Sequence, residues 1–178
     1  TRGRIIRATR RPGVDCHADR PPPTCDGVAA DGRYCNMRGQ DISAFTAKFD
    51  LFFDLGSCPT IAFGDGGNEI GMGNVLHLLT DLPIKPSVTT SDELVIATVS
   101  NWGVYGVIAE LSDLVGQDLF TCFDPHAIVS FLMSNGSLDG VTTEATPSED
   151  GFPMTVGDQI IRQLRGALST SQEVPVPD

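Results

Sequence analysis

The sequence predicts an α/β fold on three observations. Short β-branched runs alternate with amphipathic stretches along the chain. The most continuous of these runs, Glu93 to Ser100, has the composition of a strand covered on both faces. A glycine-rich loop, Gly64 to Gly73, stands where another such run gives way to a helical pattern. Alternation of this kind implies parallel pairing through crossover connections, so the expected architecture is a layered, Rossmann-like, mostly parallel sheet flanked by helices. With 178 residues and 40% apolar content the chain can build one core. A single domain over residues 1–170 and a flexible tail at 171–178 are expected.

Taken in order, Gly3 to Thr9 reads as a strand that Pro12 and Gly13 end. Val14 to Gly27, with three consecutive prolines and no period, reads as a loop insertion. Asp41 is a candidate N-cap for a helix whose apolar stripe is Ile42, Phe45, Phe49, Phe52 and Phe53, ending near Gly56. Pro59 to Phe63 supplies a short strand, and beyond the glycine loop Val75, Leu76, Leu78 and Leu79 mark a helix closed by Asp81 and Pro83. After the strand at Glu93 to Ser100, a helix is expected with Tyr105, Ile108, Leu111, Leu114 and Val115 on its apolar face and Gly116 near its end. Pro125 opens a helix over Ala127 to Met133, and Asn135-Gly136 stops it. Leu138 to Thr142 reads as a further strand and Thr155 to Leu168 as a last amphipathic helix.

A net charge of −11 argues against a nucleic-acid partner, because such binding draws on surplus Lys and Arg. That surplus is only local, at Arg2, Arg4, Arg7, Arg10, Arg11 and Arg20, where a transit peptide or a nucleic-acid arm competes with an edge strand. No run approaches the roughly 18 apolar residues of a membrane span. Five cysteines without a CxxC pair are poor material for a disulfide framework, so a reducing, cytoplasmic compartment is expected. Cys35 and Cys58 are expected to be buried thiols. Cys16, His17 and Cys25 lack a second close pair of metal ligands and read as loop composition.

Ligands of open α/β sheets lie beyond the carboxyl ends of the strands. Two loops here hold that position. The loop from Gly64 to Gly73 fits neither a GxGxxG fingerprint nor a P-loop, so no nucleotide is expected. Instead it embeds Asp65, Asn68 and Glu69 among glycines, including Gly66 and Gly67, whose N–H groups can converge there. The plainer alternative is that Asp65 caps the helix and Glu69 is solvated. The second loop, Ser100-Asn101-Trp102-Gly103, carries the chain's one Trp; Asn101 as a helix cap and Trp102 as core cover stand beside a binding role. A third segment, Asp31 to Asp41, brings Asn36, Arg38 and Asp41 together, and the planar fork of Arg38 suits an anionic substrate. His77 lies in an apolar stripe and is expected to be packed or partly exposed. No GxSxG elbow supports a serine nucleophile.

Ala29 to Ser43 (AADGRYCNMRGQDIS), Thr60 to Val75 (TIAFGDGGNEIGMGNV) and Val99 to Val107 (VSNWGVYGV) together resemble the C-terminal domain of D-glutamate cyclase, a family also seen as stand-alone bacterial proteins. Leu138 to Pro153 looks like the family's DGVT segment and its later turn. Arg10 stands where the family tends to have a glutamate. The family's domain extends further toward its N-terminus, so the resemblance together with a non-Met start implies an N-terminally truncated domain. It also implies cyclisation of D-glutamate to 5-oxo-D-proline with loss of water, in the cytoplasm or, in a eukaryote, the mitochondrial matrix.

On that footing Asp65 and Glu69 divide the proton transfers, while Asn68 and loop N–H groups hold the oxyanion. Arg38 and Asn101 fix the substrate carboxylates, with Asn36, Asp41, Gly66, Gly67, Ser100 and Trp102 around them. In an alternative scheme Asp65 and Glu69 hold a divalent metal ion. The competing functions are a non-catalytic ligand-binding or interaction domain of the same fold and a nucleotide-binding module.

Overall fold

The computed structural model describes residues 26–55 and 58–171. The strand expected at Gly3 to Thr9, the insertion up to Cys25 with Cys16 and His17, and the tail beyond 171 lie outside the described residues. The described chain is mixed α/β. Strand β1 (Ile61–Gly64) pairs in parallel with β2 (Glu93–Ile96), with Phe63 opposite Val95. Helix α1 (Ser100–Val115) follows β2 directly, helix α2 (Pro125–Ser134) comes next, and a hairpin of β3 (Ser148–Glu149) and β4 (Phe152–Pro153) leads into helix α3 (Met154–Ser171). Two short two-stranded pairings among the described residues support the α/β class. The wider Rossmann-like layering is a larger statement than they carry.

A different element packs on each face of the parallel pair, but Ile61 and Ile96 stay exposed, so the cover expected over both faces of the Glu93 run is partial. A side chain at Gly103 would press on Val95, Ala97 and Phe63, so α1 lies close against that face. On the other face, a side chain at Gly71 would run into Ala62 and Leu94. Gly71 also has φ of 91°, which L side chains rarely adopt, and it starts a kinked 3₁₀-helix over Met72–Leu78. The core behind α1 holds Tyr105, Ala109 and Phe120, with Ile161 and Leu164 of α3 packed on it. Burying a ring such as Phe120 contributes about 1.5–3 kcal/mol.

α2 begins as expected, with Pro125 in its first turn and the Asp124 carboxylate accepting the N–H of His126 and Ala127. It is held to α3 by His126 Nε2, 2.9 Å from Asp158. α3 also forms where the amphipathic pattern placed it.

Four expectations are corrected. The helix from Asp41 is a turn followed by a 3₁₀-helix at Phe49–Leu55. Its buried side is Ile42, Thr46 and Asp50, because the buried Tyr34 hydroxyl lies 2.8 Å from both Asp50 oxygens and draws that edge inward. Phe45, Phe49 and Phe52 consequently face outward. On α1 the buried positions are Tyr105, Ala109 and Ser112, while Leu111, Leu114 and Val115 are exposed; Tyr105 is drawn to Glu149, and Ser112 Oγ accepts the N–H of Leu119.

The expected strand at Leu138 to Thr142 is a turn. Asp139 Oδ1 accepts the N–H groups of Val141 and Thr142, and Oδ2 accepts Ser148 Oγ and the N–H of Gly151. A carboxylate bonded to the backbone just ahead of it competes with strand pairing. Burial raises the Asp139 pKa, but these donors outweigh it and leave the group lowered to about 2. Lastly, Cys35 is buried as expected while Cys58 is exposed. His77 is exposed.

The Tyr34 to Asp50 bond yields a direct expectation. Tyr34→Phe strands a buried carboxyl and should cost about 1–3 kcal/mol, read in urea as a lower midpoint at unchanged slope.

Candidate functional site

The end of β1 and the start of α1 are joined by one side chain. Asp65 follows Gly64 directly, and its Oδ2 accepts the Ser100 N–H at 2.8 Å and the Ser100 hydroxyl at 2.6 Å. A carboxylate at the first turn of a helix meets free N–H groups and the positive end of the helix dipole. Asp65 is therefore a cap, but of α1 and not of the 3₁₀-helix that its own loop enters. Asn101 does not cap α1, which is preceded by Val99 without a side-chain cap.

Glu69 turns back into its own loop. Oε1 accepts the Gly66 N–H at 3.0 Å and Oε2 the Gly67 N–H at 2.8 Å. Two of the N–H groups expected to face a substrate are thus spent on Glu69, which is partly buried rather than solvated. Burial pushes its pKa up and the charge of Asp65 adds to this; bonds from backbone N–H groups oppose without reversing it. The side chain of Met37 lies over Gly66 and brings the Asp31 to Asp41 segment onto this loop.

Asn68 is 3% exposed, and its NH2 donates to Asp26 and to the Cys35 carbonyl. Its side chain therefore has no donor left for an oxyanion. Asn36 shapes the next loop, accepting the N–H groups of Arg38 and Gln40 on one oxygen. Asp41 likewise accepts the N–H and hydroxyl of Ser43. These two residues hold a turn that displays Arg38, whose guanidinium is exposed and donates to the Val141 carbonyl at 2.9 Å.

The residue that sequence reasoning missed is Glu149. It is 5% exposed and accepts from Tyr105 Oη at 2.6 Å, Asn101 Nδ2 at 3.1 Å and Trp102 Nε1 at 3.1 Å. Burial and this bond together raise the Tyr105 pKa. Next to it, burial and then the charges of Asp65, Asp139 and Glu149 push the Asp150 carboxyl up to about 6. One signal pointed here: Asp150-Gly151 has φ of 50° and 80°, and an Asp-Gly pair is a strong mark of a tight hairpin.

Four segments thus meet. Met37 and Arg38, the Asp65 to Glu69 loop, the start of α1, and the turn from Asp139 to Gly151 are linked pairwise through Gly66, Val141, Ser100 and Glu149. The resulting surface is rich in acceptors, with Arg38 as its guanidinium. Among the described residues no three His, Cys, Asp or Glu side chains form a group that could hold a metal ion. Asp65 is bonded to Ser100 and Glu69 to the two glycines.

Residues 26–165 match the family model described as D-glutamate cyclase-like, C-terminal. The chain belongs to this family. It is 40% identical over 152 residues to a human protein, D-glutamate cyclase, mitochondrial, an alignment that covers 80% of this chain and 24% of the relative. The chain thus spans about a quarter of that relative's length. Family membership agrees with the motifs at Ala29 to Ser43, Thr60 to Val75 and Val99 to Val107, all of which fall inside the matched range. No described helix is long and apolar enough to cross a membrane.

The raised Asp150 acidity has a stability consequence. A carboxyl whose pKa is higher folded than unfolded gives stability that is present below the unfolded value and is lost as pH rises through the folded one. Asp150→Asn, which suits the positive φ, should raise the melting temperature at pH 7.5, with the gain fading to nothing near pH 4.

Proposed function

We propose that this domain cyclises D-glutamate to 5-oxo-D-proline with release of water, in an aqueous compartment such as the cytoplasm or the mitochondrial matrix. The observation that carries the reading is the Glu69 carboxyl, partly buried, held by the Gly66 and Gly67 N–H groups beside Asp65 and shifted toward weaker acidity by that burial. Membership of the family and the relative's name support the choice of substrate.

In this reaction the amino nitrogen forms a bond to the side-chain carboxyl carbon, and one carboxyl oxygen leaves. Of the three ammonium protons, one stays on the lactam nitrogen and two depart with that oxygen as water. The domain must therefore take protons from nitrogen and return them to oxygen. Asp65, bound to the start of α1, is the acceptor on the nitrogen side. Glu69, which burial biases toward its protonated form, donates to the departing oxygen. Arg38 engages the substrate's α-carboxylate in place of the Val141 carbonyl. The substrate folds its own amine onto its own carboxyl, so positioning supplies much of the rate.

Glu69→Gln and Asp65→Asn each remove one proton carrier. Formation of 5-oxo-D-proline should fall by roughly 10²–10⁴-fold in each variant, with folding checked by circular dichroism. Near wild-type turnover in both would sink the assignment, and absence of turnover in the wild-type chain would sink the function.

A further inference from the structure

Glu149 sits in a position that constrains a neighbour's chemistry. An ionised carboxylate only accepts hydrogen bonds, and an indole N–H only donates, so the 3.1 Å contact to Trp102 fixes one Glu149 oxygen as its acceptor. The other oxygen takes the Tyr105 hydroxyl at 2.6 Å and the Asn101 Nδ2 at 3.1 Å. Turning the Asn101 amide over would set its carbonyl oxygen against this carboxylate, acceptor facing acceptor. The buried charge therefore dictates the orientation of an exposed amide. A side chain at Gly157, in the first turn of α3, would come within 2.5 Å of the same carboxylate, so α3 closes over it.

With NH2 turned inward, Asn101 presents its carbonyl oxygen outward. Beside it Ser100 has both its N–H and its hydroxyl committed to Asp65. The start of α1 thus offers acceptors, whereas the guanidinium of Arg38 lies on the Val141 side.

We infer that Glu149 is a positioning residue that holds Asn101 as a hydrogen-bond acceptor for the substrate's ammonium group, so that Asn101 reads the amine and not a carboxylate. This rests on the amino-acid substrate proposed for the same site. It assigns the two ends of the ligand: ammonium at the start of α1 beside Asp65, α-carboxylate at Arg38. It also gives the reacting nitrogen a partner that orients its lone pair after Asp65 has taken a proton.

The test compares binding of D-glutamate with binding of glutarate, which keeps both carboxylates and lacks the amine, by calorimetry on the full chain. The wild type should favour D-glutamate by about tenfold or more, the scale of one hydrogen bond to a charged group. Asn101→Ala, at an exposed position, should cut that preference several-fold, leaving what Asp65 contributes, with glutarate affinity unchanged. Glu149→Gln should do the same, and the double variant should discriminate no worse than Asn101→Ala alone, because one residue acts through the other.

Equal weakening of glutarate and D-glutamate by Asn101→Ala would overturn the inference, since Asn101 would then be donating to a carboxylate. Discrimination by a folded Glu149→Gln at the wild-type level, or additive losses in the double variant, would also overturn it. Should Glu149→Gln not fold, as circular dichroism would reveal, the Asn101→Ala result decides. A wild-type chain that turns over D-glutamate but fails these comparisons loses only the inference, whereas one that binds neither ligand loses the proposed function with it.

Discussion

Asp65 ties the end of one strand to the start of the helix that follows the neighbouring strand, and much of the described architecture depends on that tie. Parallel pairing of β1 with β2 brings Gly64 opposite Ile96 and so brings the exits of both strands to the same edge. There the chain after β2 must turn into α1 within a few residues, and the first N–H groups of α1 need partners. Asp65 supplies one from across the pair, which ends β2 early and starts α1 at Ser100. The site loops gather at this edge because the strands end there.

A second theme is how an acidic chain places carboxylates where water cannot serve them. Asp50 meets the Tyr34 hydroxyl, Asp139 meets two hydrogen-bonded N–H groups on one oxygen and a hydroxyl and an N–H on the other, and Glu149 meets three side-chain donors. A buried carboxylate without donors would be costly, and with them it becomes a rigid joint. Asp139 and Glu149 between them fix the turn that carries Asp150 toward Asp65. Asp150 and Glu69, where desolvation and neighbouring carboxylates act together, are the carboxyls whose acidity weakens.

The helices α2 and α3 and the run of β1 were readable from the chain because their signals are local: Pro125 after a capping Asp124, Asn135-Gly136 at a helix end, a β-branched run before a glycine loop. The helix expected from Asp41 failed for a non-local reason. Its phenylalanine stripe had the right spacing, yet the hydroxyl of Tyr34 holds Asp50 and turns the opposite edge inward. The stretch from Leu138 to Thr142 is a turn and not a strand because Asp139 collects four donors from residues that follow it. Among candidate site residues, Asp65 and Glu69 lie together as their shared loop implied, and Arg38 reaches the same edge through Val141. Asn36 and Asp41 are occupied by bonds that shape their own segment, and Asn68 by bonds to Asp26 and the Cys35 carbonyl.

By itself the sequence determined the α/β class and the family through three separated motifs, since these depend on residue order and local spacing. Only the tertiary structure decided which polar groups remain available. Glu149 is the sharpest case: the Asp150-Gly151 pair beside it marks only a turn, and its partners Asn101, Trp102 and Tyr105 lie more than forty positions earlier. Whether an amide donates or accepts is set by what lies on its other side, and packing of α1, the hairpin and α3 around one buried charge sets it here.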